Sequence, residues 1–449
     1  MPELPTSYER YRSDFGALQA TLPAGGPAWL DDLRRQGMAA FDALGFPTAT
    51  RGNEEWKYTN VLPLARAEFE YPFHVDTNGA NGPAIRDLAP WVEGWTRLVF
   101  VDGRYSESLS GPPHSTNGIR AVNLADAVSQ DGDLVERHLG RQATASEDGF
   151  TAINAAFLRD GAFVHVSDGS VPDTPLHLVF LTTRRAEPAV SHPRTLIVAG
   201  RNSRLTVVES YVSMSDGPYF TNAVAEIVAD DGAEIEHYRY LMESPQAFHI
   251  GTTRVSLGRD STFSSTSIAR GARLARNDLS VLLDAPGSAC YLNGLYFTSG
   301  KQHIDNHINI DHAMPHTTSD QYFKGIIDGR SRAVFSGRVL VRPQAQKAYA
   351  RQSDKNLLLS KDARVNTKPS LEIFADDVQC FHGATAGAVG PDALFYMTSR
   401  GLDEDTAREL LVYGFASEIT ERIRLAPLRD HLDRLLSGAR PQLQAGASS

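Results

Sequence analysis

The chain has 449 residues, 41% hydrophobic and 22% charged, with a formal net charge of −10 at pH 7. That length exceeds one ordinary core and implies two or three domains, and the acidic balance argues against a nucleic-acid surface, which needs a basic patch. No run is long and apolar enough to span a bilayer, the N-terminus lacks the layout of a signal peptide, and two cysteines are too few for a disulfide framework, so the expected setting is a reducing cytoplasm.

The first part reads as helical. "SYERYRSDFGALQATL" and "PAWLDDLRRQGMAAFDALGF" space their apolar residues three and four apart. The second of these begins at a proline and stops at Gly45 and Pro47. An aromatic and charged loop follows, "RGNEEWKYTN", and then "RLVFVDGRY" reads as strand, Asp-Gly turn, strand. From about residue 160 to 386 short β-branched runs alternate with Gly/Asp turns. Gly200, Gly232, Gly258 and Gly287 mark four similar turns, spaced 32, 26 and 29 residues apart. A recurring strand-turn unit with almost no helical periodicity suggests a parallel β-helix, with about nine coils at roughly 25 residues each. A β-sandwich or jelly roll is the alternative. The tail turns helical again. "ALFYMTSRG" opens after Pro391 and closes at Gly401, and Asp403 caps "EDTARELLVYGFASEITERIR". There Ala407, Leu411, Phe415, Ile419 and Ile423 form one apolar stripe. A last helix starts at Pro427, and residues 438–449 read as a disordered tail. The expected domains are 1–155, mainly helical, 156–388, the β-helix core, and 389–437, helical.

Three stretches invite chemistry. "GLYFTSGKQH" fails as a phosphate loop, because five residues separate its glycines and Gln302 replaces the magnesium-binding hydroxyl. In "HIDNHINIDHAMPH", His303, His307, His312 and His316 are dense enough to suggest a metal, but strand neighbours four apart lie about 13 Å from each other. They read better as a polar sheet face. "DDVQCFHGATAG" places Cys380 and His382 two residues apart, with Cα atoms about 7 Å apart on one strand face. That is either coincidence or half of a site completed elsewhere, since two ligands do not close a tetrahedral centre. Cys290 falls inside a repeat and is assigned to the core.

"KGIIDGRSRAVFSGRVLV", "KNLLLSKDARVNTKPSLEIFADDVQCFHGATAG" and "LFYMTSRGLDEDTARELLVYGFASEI" resemble the SufB/SufD family of iron–sulfur cluster assembly proteins, with support from "EEWKYTN", "FVDGRYSESLS" and "FTAINAAFLRDGAFVHVSDG". The Cys-His stretch is similar to the SufD branch rather than the SufB branch. The resemblance implies a right-handed parallel β-helix core between a helical N-terminal region and a C-terminal helical domain. It implies a non-catalytic scaffold that pairs with SufB and binds the ATPase SufC through its C-terminal helices, where Leu394, Phe395, Leu411, Phe415 and Ile419 are the expected contacts. A homodimer in the absence of SufB is a further partner reading, which the sequence leaves open. Cys380 and His382 fall on the family's interfacial Cys and His. They inherit contact with iron and with an iron–sulfur cluster that is transient, shared with SufB, and not tightly held by the isolated chain. Phe381 stands where the family often has a small polar residue. Rival readings are a SufB-like main scaffold, which two cysteines disfavour, a β-helix enzyme acting on polysaccharide, and a metal-dependent enzyme using the histidine segment.

Overall fold

The chain alternates between two stacked sheets for most of its length in this computed structural model, which describes residues 6–22, 26–47, 53–77, 82–111, 114–116, 118–183 and 185–438. Arg204–Ser213, Glu234–Met242, Thr262–Arg270, Ala289–Thr298, Thr318–Ile327, Tyr349–Leu358 and Gln379–Ala388 lie in one sheet. Phe220–Ala229, Phe248–Leu257, Leu274–Leu283, His303–His312, Arg332–Val341 and Arg364–Ile373 lie in the other. Each of these strands pairs in parallel with the next one in its own sheet, so one turn of a β-solenoid adds one strand to each. There are about eight turns. The register sets residues of adjacent coils 28 (His237 and Ser265), 29 (Leu292 and Gln321) and 31 (Gln321 and Gln352) positions apart. Coils of that length account for the count falling below nine.

Strand alternation drives the stacking. In Arg332–Val341, Ala333, Phe335, Val339 and Val341 face the inter-sheet core, where they join Leu205, Ile235, Phe263, Leu292 and Phe323 of other coils. The recurrent turns stack as well. Asn202, Gly232, Asp260 and Gly287 all take left-handed backbone, with φ of 54°, 69°, 53° and 77°. Gly232 N donates to Arg259 O at 2.7 Å in the next coil. A Cβ on Gly287 would sit 1.9 Å from Asp260 Oδ1, so the glycine in this stacked turn is dictated by both φ and space.

The first sheet reaches back to Thr96–Val101, which pairs in parallel with Leu176–Thr182 and antiparallel with Arg104–Tyr105 through the expected Asp-Gly turn. Helical segments cover both outer faces. Helix Gly149–Ala156, capped by Asp148, packs on the second sheet. Helix Ala28–Leu44 crosses it so closely that a Cβ on Gly37 would lie 2.5 Å from Ala156 N. On the first sheet, Ala416, Ile419, Leu428 and Leu432 of the C-terminal helices Glu404–Thr420 and Ala426–Gly438, with Ile423 between them, pack with Tyr238, Tyr240 and Tyr322. The tail expected to be disordered lies, beyond Gly438, outside the described residues.

The loop around "EEWKYTN" is bolted to the second sheet by a buried arginine. Arg276 Nη1 donates to Glu55 O at 2.9 Å and to Asp305 Oδ2 at 2.5 Å, and Arg276 Nη2 pairs with Asp278 at 3.1 Å. Its guanidinium stacks 3.9 Å from the Trp56 ring centre, and Thr59 Oγ1 donates to the same Asp305 oxygen. Replacing Arg276 by Ala leaves the buried Asp305 without its counter-charge and Asp278 with Arg254 alone. The expected loss is about 3–5 kcal/mol of unfolding free energy, read from urea denaturation; a change below about 1 kcal/mol refutes the anchoring role.

Candidate functional site

The solenoid is capped at one end and open at the other. At its start, Ile119–Asn123 runs antiparallel beside Gly161–Val166, and His114–Thr116 runs antiparallel beside Ile119–Asn123 and closes the second sheet. At its finish, Arg364–Ile373 and Gln379–Ala388 are the last strands of their sheets, each ten residues long. Their outer edges carry backbone N–H and C=O groups that no further strand among the described residues takes up. Pro369 interrupts one of them.

Cys380 and His382 lie on this final coil, on one face. Cys380 is in register with Ala350, and through it with Ser319 and Cys290. His382 is in register with Gln352, Gln321 and Leu292 in the same succession of coils. Cys290, Leu292 and Ala350 belong to the inter-sheet core, so both columns point inward, and the thiol and imidazole stand at the mouth of the interior. Cys380 is half-buried and packs against that core, whereas His382 is exposed. Burial raises the Cys380 thiol above its ordinary value, only partly offset by a backbone hydrogen bond from Ala350. Beneath His382, Gln352 Nε2 donates to Gln321 Oε1 at 3.2 Å, while Gln352 Oε1 has no partner among the described residues. Two positions on, Asp354 is buried on the same inward face, and burial lifts its carboxyl to about 6. Ile373, Phe374 and Phe381 form an exposed apolar rim, with Phe374 63% and Phe381 55% exposed. The sequence pattern did not single out this rim. Ile373 continues an inward column and Phe374 follows the last residue of its strand, whereas Phe381 continues the outward column of Tyr291, Asp320 and Arg351.

The histidine segment does not converge. His303 and His307 face outward beneath the residue 53–60 loop, with His303 Nε2 3.0 Å from Thr59 Oγ1. His312 faces inward and is held by Thr317 Oγ1 and Ser319 Oγ, both at 2.8 Å. His316 occupies a turn with φ of 60°. Among the described residues no group of three or more His, Cys, Asp or Glu side chains is placed to hold a metal ion. Cys290 is fully buried, and burial raises its thiol further than that of Cys380.

The C-terminal contacts divide. Phe395 is 73% exposed. Leu394, Leu411 and Phe415 are half-buried. Phe415 lies under Lys324, whose Nζ is 4.0 Å from the ring centre and donates to Phe415 O at 2.8 Å. Ile419 is fully buried against the outer sheet face, which removes it from any contact surface. The stripe was displaced because Val412, Ala416, Ile419 and Ile423 make the inward face. Periodicity shows that a helix has an apolar side but cannot rank two adjoining ones. Tyr396, Leu410 and Tyr413 remain exposed instead. No helix among the described residues is long and apolar enough to cross a membrane.

Comparison with known proteins adds identity to this geometry. Residues 180–415 match the family described as SUF system FeS cluster assembly, SufBD core domain, and residues 6–178 match the SufBD protein N-terminal region. An iron–sulfur cluster assembly SufBD family protein of Synechocystis is 34% identical over 90% of this chain and 90% of its own length. The iron–sulfur cluster assembly protein SufD of Escherichia coli is 31% identical over 88% of this chain and 91% of its own. SufD of Bacillus subtilis is 24% identical over 90% and 93%.

Thiol accessibility follows from burial. Iodoacetamide is expected to label one cysteine of the folded chain, Cys380, with a pH midpoint above that of free cysteine, and to spare Cys290 until denaturant is added. Peptide mass mapping reads the outcome, and labelling of Cys290 at an equal rate refutes it.

Proposed function

The chain belongs to the SufBD family of iron–sulfur cluster assembly proteins and is SufD-like, and on that premise we propose that it is a non-catalytic scaffold subunit that pairs with SufB through the open end of its solenoid and binds the ATPase SufC through its C-terminal helices. The observation that carries this reading is the position of Cys380 and His382 at the inward mouth of the one uncapped end. A homologous solenoid placed end to end covers the two bare strand edges and the Ile373, Phe374 and Phe381 rim. It also brings its own ligands to a half-site that this chain does not complete.

The cluster is cargo, and the half-site suits cargo. A thiolate and an imidazole both serve as ligands in iron–sulfur chemistry. The Cys380 thiol, held protonated by burial, exchanges its proton for the metal on binding, so occupancy follows proton release. Two ligands on each side of an interface hold a cluster less firmly than four on one chain, which favours release to a recipient. The proposed locale is the cytoplasm.

The ATPase contact rests on exposed aromatic surface. Phe395 and Tyr396, 73% and 60% exposed, stand on helix Pro391–Thr398, with Leu410 and Tyr413 on the next helix. Large aromatic side chains are the usual anchors of protein interfaces. In the absence of SufB, the bare end is expected to pair with a second copy of this chain.

Native mass spectrometry of the chain co-expressed with a SufB-like paralogue and a SufC-like ATPase is expected to give one copy of each solenoid and two of the ATPase; a chain that stays alone refutes the pairing. Phe381→Asp is expected to weaken solenoid pairing at least about tenfold, as loss of a buried anchor does, while the circular dichroism spectrum stays unchanged. His382→Ala is expected to leave folding and complex assembly intact and to lower the cluster yield of the assembled complex, measured by visible absorbance and iron content. An unchanged yield removes His382 from the mechanism.

A further inference from the structure

We propose that one corner of the solenoid, formed by the turns that follow strands Ala289–Thr298, Thr318–Ile327 and Tyr349–Leu358, is a docking surface for an acidic segment of a partner protein. Three successive coils place cations there. Arg330 N donates to Gly300 O at 2.8 Å, and Ser360 Oγ donates to Gly329 O at 2.6 Å, so Lys301, Arg330 and Lys361 stand in one column. Arg332 and Arg364 open the strands that follow and are directly in register. All five residues are exposed.

Elsewhere these same coils answer their surface cations. Arg338 pairs with Glu372 at 2.6 Å, Arg342 with Asp311 at 2.7 Å and Arg351 with Asp320 at 2.5 Å, and in each case the carboxylate belongs to the adjacent coil. Lys301, Arg330, Arg332, Lys361 and Arg364 make no such pair among the described residues. Their turns contain the carboxylates Asp328 and Asp362, two against five. On the adjoining sheet face Asp305 is held by Arg276, and Glu54 by Lys57 and Lys368. Like charges directly opposite each other across strands are destabilising, yet Arg332 is paired with Arg364 in a chain whose formal charge is −10. The corner is a local excess of positive charge that the fold itself does not neutralise, and carboxylates from outside relieve it.

The dimensions select a short segment. Successive coils rise about 4.8 Å, so the column from Lys301 to Lys361 spans about 10 Å, the reach of roughly four extended residues. A nucleic acid fits less well. Its charge continues past the corner and meets the acidic remainder of the chain, whereas the charge of a short acidic run ends with the corner, and interactions beyond about 8 Å are screened at physiological salt. Lys301 lies two coils back from the bare edge at Arg364–Ile373, so this surface is separate from the end-to-end contact and does not depend on it.

Fluorescence anisotropy of fluorescein-labelled octaglutamate with the full chain tests the assignment. Saturable binding is expected, and it weakens as sodium chloride is raised. The double variant Arg330→Gln, Arg332→Gln is expected to bind about tenfold more weakly, because two of five contacts are lost. The double variant Arg342→Gln, Arg351→Gln removes the same charge at paired positions and is expected to keep its affinity within about twofold, which separates a site from net charge. Melting curves confirm that both variants fold. Absence of saturable binding, or equal weakening in the two double variants, overturns the proposal. Tighter binding of a labelled oligothymidylate of the same length assigns the corner to nucleic acid and overturns it as well.

Discussion

Backbone hydrogen bonds that run from coil to coil are the constraint on which the rest of this structure depends. A strand in a parallel stack meets half of its hydrogen-bonding needs from the coil before and half from the coil after. Such a stack has no natural end. This chain closes its beginning with short antiparallel strands, Ile119–Asn123 and His114–Thr116 on one sheet and Arg104–Tyr105 on the other. Its finish receives no equivalent. Two ten-residue edges stay bare, softened only by Pro369 and by the small residues of "GATAGA". An exposed edge of that length is a pairing surface by its chemistry, and the thiol and imidazole stand on it.

The same stacking decides what each side chain does. A residue's role follows from its column and its face. Inward columns place apolar groups above one another, and polar groups on them bond between coils: His237 reaches Glu209 at 3.1 Å in one coil and Ser265 at 2.9 Å in the next. Outward columns carry the anchors for the helical regions. Arg194 and Glu226, both fully buried, pair beneath the segment that leads into helix Gly149–Ala156, and Glu226 also accepts from Gly140 N and Gln142 N at 2.8 Å. Arg276 does the same for the loop containing Trp56. On the opposite face Lys324 and Tyr322 meet Glu418. Buried ionic anchors add little net stability, yet each is costly to break, so they fix where a helix docks.

Much of this was readable in the order of residues. The spacing of Gly200, Gly232, Gly258 and Gly287 marks stacked turns: Gly232 and Gly287 take left-handed backbone themselves, and Gly200 and Gly258 stand two residues before Asn202 and Asp260, which do. The i, i+2 relation of Cys380 and His382 holds because strand geometry leaves no other arrangement. The four histidines separate for a related reason: His312 has the opposite parity from His303 and His307, and one strand cannot aim both parities at one ion. The coil length was less legible, since turns of variable length carry no periodic signal, and the count of turns came out lower.

What the sequence by itself determined is local: strand against helix, the turn positions, the shared face of the Cys-His pair, and the presence of apolar stripes on the C-terminal helices. Each depends on residues a few positions apart. What only the tertiary structure decided depends on which surface meets which. It placed Ile419 against the sheet and left Phe395, Tyr396 and Tyr413 outside. It aimed Cys380 and His382 into the mouth rather than away from it. It lined up Lys301, Arg330 and Lys361, from three successive coils, along one corner. Short-range sterics are written in neighbouring residues, whereas burial is a property of the whole packed chain and takes its value only when every coil is in place.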